Sequence, residues 1–323
     1  MMQKQREDKI PSYEKINYAL RPAKAVERKM LCDSFLRLSE FSHISDYQYI
    51  GFGSAYFSDF SLFHKRLGID KMISIEHDDD QKERFEFNNP FNCIDIKYGE
   101  ASKVLPSLNW DIRSIVWLDY DYSLSYSVLN DLYYLISNIP TGSMFLVSVN
   151  CTSASCRKNR VEVLQDKLKE YKNHIPPSTT SDQMAKWGTA ATFRDVINNM
   201  IKHCIIDRNS CRPSGTHFLY SQIFNFHYKD GAPMLTVGGV FYDEGNKEQF
   251  EKCCFSNFDF YKDEEEDFLI EIPNLTFKEL RELDAQLPSK ELEEVELPGV
   301  KKEDISKYSK IYRHFPTFAE TTF

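Results

Sequence analysis

The sequence is short of several things that would settle its class at once. It has no run of about 18 apolar residues, the length a bilayer-crossing helix needs; its longest apolar stretches, such as Met144–Val149, are strand-sized. Its eight cysteines (Cys32, Cys93, Cys151, Cys156, Cys204, Cys211, Cys253 and Cys254) form no CxxC pair, and no histidine stands at zinc-finger spacing from a cysteine pair. The spacing therefore gives neither a disulfide framework nor a metal centre, and the thiols read as reduced and mostly buried. The first residues, MMQKQREDKIPSYEK, lack the apolar core of a signal peptide, so a cytoplasmic location is expected. There is no internal repeat. Glycine and proline, 12 and 13 in 323 residues, are too few for a fibrous or low-complexity chain.

What remains is a folded chain, 41% hydrophobic and 14% aromatic, long enough to bury a sizeable core. Its net charge of −9 is unevenly spread. Residues 243–323 hold 21 Asp and Glu against 11 Lys and Arg, a net of −10, and the other 242 residues come to +1. The acid is a property of the C-terminal part. A nucleic-acid or nucleotide partner is therefore not excluded for the body.

Residues 1–16 are polar and read as a loose tail or an arm. A helix is expected over Pro22–Phe41, with Val26, Met30, Phe35 and Leu36 as its apolar positions. Strands and helices then alternate: a strand followed by a glycine turn over Tyr47–Gly53, strands at Lys71–Ile75, Ile94–Tyr98, Ser114–Leu118 and Ser143–Val149, helices at Ser54–Leu67, Asp79–Asn88 and Ser125–Ser137. Alternation of this kind implies a parallel sheet covered on both faces. Residues 151–215 are polar and mostly helical. Two strands return at Phe218–Tyr228 and Met234–Tyr242, joined by a turn over Lys229–Pro233. The expected fold is α/β, a Rossmann-like, mostly parallel seven-stranded sheet with an antiparallel final hairpin. The expected division is an arm (1–21), a cofactor-binding core (22–150), a helical insertion (151–215), the hairpin (216–245) and an acidic extension (246–323). In the last part, Thr276 and Glu279 form a capping box. Ile305, Tyr308, Ile311, Tyr312 and Phe315 form a helical stripe that either packs on the body or docks a partner.

Open α/β sheets bind ligands beyond the carboxyl ends of their strands. Gly51, Gly53 and Ser54 follow the first strand; glycines there allow a tight turn and close backbone approach to a ligand. Glu76 ends the second strand, where a carboxylate can accept both ribose hydroxyls. Gly99, Glu100 and Ala101 follow the third. Glu100 either reads an adenine edge or caps the next helix. Asp119 ends the fourth strand, and Asp121 and Tyr122 crowd the same edge as candidate acceptor-positioning or acid–base groups. Asn150 ends the fifth. Arg21, Lys24 and Arg28 share one helical face, either solvated or holding an anion. His64 and His77 lie near the glycine turn and carry no assigned role.

At these residues the sequence resembles the class I S-adenosylmethionine-dependent methyltransferases, and within them a loosely described prokaryotic O-methyltransferase-like group. YIGFGSA is similar to the family's first motif, ISIEHD to the acidic end of its second strand, KYGEAS to its Gly-Asp-Ala motif and VWLDYD to its fourth-strand motif. The resemblance implies S-adenosylmethionine as cofactor, Glu76 on the ribose, Glu100 near the adenine and Asp119 facing methyl transfer. Two departures stand out. Tyr49 occupies the place of the acid two residues before the first motif glycine. Asp119-Tyr120-Asp121-Tyr122 keeps only the outer residues of the Asp-Pro-Pro-Tyr pattern of amino-methylating nucleic-acid enzymes. The implied activity is methyl transfer to an unidentified oxygen or nitrogen acceptor. The alternatives are a subunit of the same fold working within a multi-protein assembly, such as an antiviral system, with the acidic extension as partner surface, and a nicotinamide-dependent oxidoreductase. Residues 151–215, basic through Arg157, Lys158, Arg160, Lys167, Lys169 and Lys172 and carrying Trp187 and Phe193 as exposed-aromatic candidates, lie where this family often recognises substrate.

Overall fold

The structure, a computed structural model, describes residues 21–316; the expected tail over residues 1–16 lies outside the described residues. The central feature is one sheet. Its strands are β1 (Gln48–Gly51), β2 (Lys71–Glu76), β3 (Ile94–Tyr98), β4 (Ser114–Asp119), β5 (Ser143–Asn150), β6 (Phe218–Asp230), β7 (Ala232–Asp243) and β8 (Phe268–Ile270). They lie in the order β3-β2-β1-β4-β5-β7-β6-β8. Strands β1 to β5 are mutually parallel, and β7 enters antiparallel between β5 and β6. This antiparallel entry departs from the all-parallel order of a dinucleotide-binding dehydrogenase sheet, which argues against the oxidoreductase reading.

The sequence pattern explains the layers. Alternate residues of a strand face opposite sides. Tyr49, Trp117 and Leu146 pack on one side with Phe35, Phe60 and Phe63, and Ile50, Val116 and Phe145 pack on the other with Leu129, Leu132 and Ile197. The first side is covered by α1 (Pro22–Arg37) and α2 (Ser58–Leu67), the second by α5 (Tyr126–Asn138) and α7 (Gly188–Asn209). Two-sided burial makes β4 and β5 nearly continuous apolar runs. Each large side chain so buried contributes about 1.5–3 kcal/mol of hydrophobic stabilisation. Shorter helices α3 (Lys82–Asn88) and α4 (Ala101–Val104) follow β2 and β3, and α6 (Arg160–Leu168) precedes α7.

Several expectations are corrected. The first helix ends at Arg37 and continues only as a 3-10 turn over Leu38–Glu40. The second is broken: Ser54–Tyr56 is a 3-10 turn and Phe57, at φ 45°, separates it from α2. The hairpin turn is tighter than Lys229–Pro233, because β6 runs to Asp230 and β7 starts at Ala232 around Gly231, whose φ of 111° favours glycine. Phe193 is buried in the second core cluster, and Trp187 is half-buried, stacked on His227 with ring centroids 4.9 Å apart.

An eighth strand adds to the seven expected. It is supplied by the acidic C-terminal part and pairs parallel with β6 through Phe226–Phe268 to Tyr228–Ile270. The acidic run before it is held by its backbone. The Gln222 amide donates to the carbonyls of Lys262 and Glu264 (2.8 and 2.9 Å), and the Asn225 amide to those of Glu265 and Glu266 (3.2 and 2.8 Å). The acidic side chains are thereby left toward water. Helix α9 (Phe277–Asp284), after α8 (Lys247–Lys252), starts on the capping box of Thr276 and Glu279. In α10 (Lys302–Ile311), Ile305 and Tyr308 pack with Leu283 and Val295, and Ile311 joins the main core. The stripe thus packs within its own chain, Ile305, Tyr308 and Tyr312 on a small cluster of the C-terminal part and Ile311 and Phe315 on the main core. No helix among the described residues is long and apolar enough to cross a membrane.

Candidate active site

The sheet register builds the site. Gly51 pairs with Ser74 of β2 on one side and with Trp117 of β4 on the other. Glu76 and Asp119 each lie two residues further on, so they flank the loop after β1 at the carboxyl edge. Glu76 is adjacent to Tyr98 of β3, and the Gly99 amide donates to the Glu76 carbonyl at 2.8 Å. The candidate residues on strands one to four thus meet along one edge.

Packing explains the glycines. A Cβ on Gly53 would lie 2.5 Å from Ser74 Oγ and 2.7 Å from the Phe57 ring; one on Gly51 would lie 2.8 Å from the Tyr49 hydroxyl oxygen. Without side chains the loop closes on β2. The Gly53 amide donates to Ser74 Oγ and Glu76 Oε1, both at 3.0 Å, and Ser74 Oγ donates to the same Oε1 at 2.8 Å. Ser54 and Phe57 sit at φ 52° and 45°, left-handed positions that cost non-glycine residues about 1–3 kcal/mol each. Burial pushes the Glu76 carboxyl up to about 7, against the opposing hydrogen bonds from Ser74 and Gly53.

Asp119 is held from α1. This helix has no N-cap side chain of its own; the Asp230 carboxylate, from the distant hairpin, accepts from the amides of Ala23 and Lys24 at 3.2 and 2.9 Å. So anchored, α1 carries Lys24, only 1% exposed, over the end of β4. Its Nζ lies 2.9 Å from Asp119 Oδ2 and 2.8 Å from Glu27 Oε2, donates to the Tyr228 hydroxyl at 3.0 Å, and sits 4.1 Å from the centroid of the Trp117 ring. The face formed by Arg21, Lys24 and Arg28 is therefore not a solvated one: at its centre, Lys24 neutralises the protein's own carboxylates. Burial raises the Asp119 pKa, but Lys24, with Arg21 and Arg28 behind it, outweighs burial and leaves it below the usual carboxylate range. Burial dominates at Glu27, and with the neighbouring Asp119 charge it outweighs Lys24 and raises that carboxyl. One ammonium thus keeps Asp119 ionised while Glu27 is pushed toward its neutral form.

Deeper in, the Tyr49 hydroxyl donates to Asp59 Oδ2 at 2.5 Å, and burial raises the Asp59 carboxyl against the lowering effect of Arg28. Tyr49, found where the related motif carries an acid, is thus tied to an acid from α2. Sequence reasoning misses the site roles of Glu27 and Asp59, and it offers an anion for Lys24 without finding that the anions are the chain's own Glu27 and Asp119. Lys24 and Glu27 stand one helical turn apart at i, i+3, the only local signal of their pairing.

The remaining candidates are more open. Glu100 is at the N-cap position of α4 but makes no capping hydrogen bond; its carboxylate pairs with Lys103 at 3.7 Å and is half-exposed. Ala101 opens α4. Asp121 is exposed, and Tyr122, 44% exposed, packs on Tyr120 with centroids 5.2 Å apart. Tyr120 is buried and donates to Asp131 Oδ2 at 2.8 Å. Asn150 Oδ1 accepts from the Thr152 amide at 2.9 Å and so shapes the loop after β5.

The sheet order, the antiparallel β7 and this strand-end edge define the class I S-adenosylmethionine-dependent methyltransferase fold. Over residues 16–323 the sequence matches the family described as "Putative O-methyltransferase", and the chain belongs to that family. No curated protein matches it. Among solved structures it is similar to Trm1 from Pyrococcus horikoshii in complex with S-adenosyl-L-methionine, at 12% identity and a TM-score of 0.47, covering 75% of this chain and 61% of that one. It is also similar to the N-methyltransferase NodS from Bradyrhizobium japonicum, at 10% identity and a TM-score of 0.38, covering 67% and 97%. This chain therefore spans less than two thirds of the length of the Pyrococcus protein.

Proposed function

We propose that the protein is an S-adenosylmethionine-dependent methyltransferase acting on an oxygen or nitrogen acceptor. One observation carries this reading: the register that places Gly51 between Ser74 and Trp117 sets Glu76 and Asp119 on either side of a glycine loop too tightly packed for side chains. The donor set fits such a cofactor. Glu76 is a buried carboxylate suited to ribose hydroxyls, Gly99, Glu100 and Ala101 lie on the adenine side, and Gly51, Gly53 and Ser54 form the backbone wall. The Nε of Arg28 is buried without a hydrogen-bond partner, which suits a ligand that carries a carboxylate.

The cofactor brings an already activated methyl group. The chain's own residues have to align an acceptor and accept hydrogen bonds from it. Asp119, kept anionic by Lys24, orients an acceptor O–H or N–H, and Asp121 and Tyr122 at the open edge position the rest of the acceptor. In this reading residues 22–150 with the 216–245 hairpin form the cofactor-binding unit, 151–215 contributes to acceptor recognition, and 246–323 is an acidic appendage. Acceptors carrying phosphate, nucleotides and nucleic acids included, suit the basic stretch at 157–172. The eight free thiols suit a reducing compartment, the cytoplasm.

A second reading, a subunit of this fold within a multi-protein assembly, draws on the Lys24–Asp119 pair, because a carboxylate already neutralised is a weak proton acceptor. Calorimetric titration with S-adenosylhomocysteine tests the first reading. Wild type should bind at one site, and Glu76→Ala should lose most of the heat. A wild type that does not bind overturns the methyltransferase proposal and leaves the subunit reading.

A further inference from the structure

At the opposite edge of the sheet, three side chains from three separate segments converge. His64 lies in the last turn of α2, Asp70 in the link into β2, and Cys93 immediately before β3. Their ligand-capable atoms all lie within 4.8 Å of one another. His64 Nδ1 stands 3.1 Å from Asp70 Oδ1, 3.5 Å from Cys93 Sγ and 3.1 Å from the Ile69 carbonyl oxygen. Nδ1 can donate to the oxygens when protonated or accept from the Cys93 thiol when not, but it cannot do both, so one proton arrangement does not serve all three neighbours.

A metal ion suits this geometry better than a proton. With Zn–S about 2.3 Å and Zn–N and Zn–O about 2.0–2.1 Å, a tetrahedral ion sets sulfur about 3.5 Å and oxygen about 3.3 Å from the nitrogen. The two edges that meet at the nitrogen, 3.5 and 3.1 Å, are close to these values, and the sulfur–oxygen edge is within 4.8 Å. The Phe91 ring, 4.4 Å from the imidazole centroid, fixes the His64 plane, and the Gly68 amide closes the helix on the His64 carbonyl at 2.9 Å, fixing its backbone. Asp70, with 73% of its side chain exposed, leaves a path for entry.

We propose that His64, Asp70 and Cys93 form a zinc-class transition-metal site that staples the end of α2 to the start of β3. The mixed nitrogen, oxygen and sulfur set selects a borderline ion such as Zn(II) over Mg(II) or Ca(II). Binding forms Sγ–metal, Nδ1–metal and Oδ1–metal bonds; the thiol proton passes to buffer, and His64 binds as the tautomer protonated on Nε2. A fourth position is left for water or the Ile69 carbonyl. The site lies roughly 17 Å from Glu76, the length of β2, so it is structural and independent of the methyl-transfer proposal. It is also invisible as a motif, since its ligands are spaced 6 and 23 residues apart.

The test is titration of chelator-treated full-length protein with cobalt(II). Wild type should take up one equivalent, with visible absorption of tetrahedral intensity and a thiolate charge-transfer band, both erased by zinc. Loss of an outer-shell partner already costs a metal site about 10–100-fold, so Cys93→Ser and His64→Gln should each weaken zinc binding by more than about 100-fold. Circular dichroism and thermal unfolding show whether each variant is folded. If one is not, the other variant and Asp70→Asn decide the matter, with weaker zinc binding expected of both. Absence of the cobalt spectrum in wild type, or zinc affinity unchanged in a folded variant, overturns the proposal.

Discussion

Lys24 Nζ lies 2.9 Å from Asp119 Oδ2, which makes the first helix of the described chain part of the edge where the fourth strand ends. The same ammonium reaches Glu27 at 2.8 Å and is almost wholly buried. Removing one partner of a buried ion pair strands the others, at about 3–5 kcal/mol. Lys24→Ala should therefore lose several kcal/mol in urea denaturation and raise the pKa of Asp119. A loss under about 1 kcal/mol, the scale of an exposed pair, would mean that water reaches the cluster.

Glu76 predicts a pH dependence. Its folded pKa, about 7, is above the ordinary value of 4.5, so between the two the folded state holds the extra proton. Stability contributed by this group is then full below about pH 4.5 and is lost as pH rises through 7. The loss amounts to about 3 kcal/mol at 1.36 kcal/mol per pH unit. Glu76→Gln should remove this part of the slope when unfolding free energies at pH 5 and pH 8 are compared. An unaltered slope in the variant would show that other groups account for it.

Gly53→Ala puts a Cβ where Ser74 Oγ and the Phe57 ring already lie. Overpacking costs about 1–3 kcal/mol, and the loop should swing off Glu76. Binding of S-adenosylhomocysteine should weaken together with stability. A variant that keeps both would show that the loop relaxes at little cost.

Asp230 supplies the cap that α1 lacks locally. Asp230→Ala should cost about 0.5–2 kcal/mol, the range for lost N-caps. Amide exchange should speed up at Ala23 and Lys24 rather than uniformly; uniform change would point to global destabilisation alone.

The acidic run is held by the buried Gln222 and Asn225 amides and by the Arg194 guanidinium, which donates to the Glu265 carbonyl. Asn225→Leu removes the amide that donates to the Glu265 and Glu266 carbonyls, leaving Arg194 on Glu265. Limited proteolysis should then cut within 262–267 sooner than in wild type, because backbone freed from its partners opens locally. Equal cutting rates would show that Gln222, Arg194 and the β8 pairing hold the segment without Asn225.

Much of the fold is legible in the chain. The strands β1 to β5 and their order of appearance follow from apolar runs between turn residues, and Glu76 and Asp119 are read as strand ends because each ends such a run. The capping box at Thr276 and Glu279 is a local pattern and is met as such. Less local features are harder to read. β8 is three residues long, below what periodicity resolves, and exists because β6 offers an unpaired edge. Phe193 sits in a polar stretch that suggests exposure, yet α7 lays it on the sheet. Ser54 and Phe57 adopt left-handed backbone against their own preference because the glycine loop closes on β2.

The sequence by itself determined the alternation of elements, the strand-end acids and the concentration of negative charge in the last quarter, since these depend on neighbours within a few residues. Only the tertiary structure decided what the charges do. Asp230 caps a helix more than 200 positions earlier, Lys24 neutralises Asp119 across the sheet edge, and Tyr49 binds Asp59 where an acid would otherwise stand. The physical reason is the same in each case. A buried charge or donor must find a partner, and which one it finds is fixed by the packing of distant segments rather than by its neighbours in the chain.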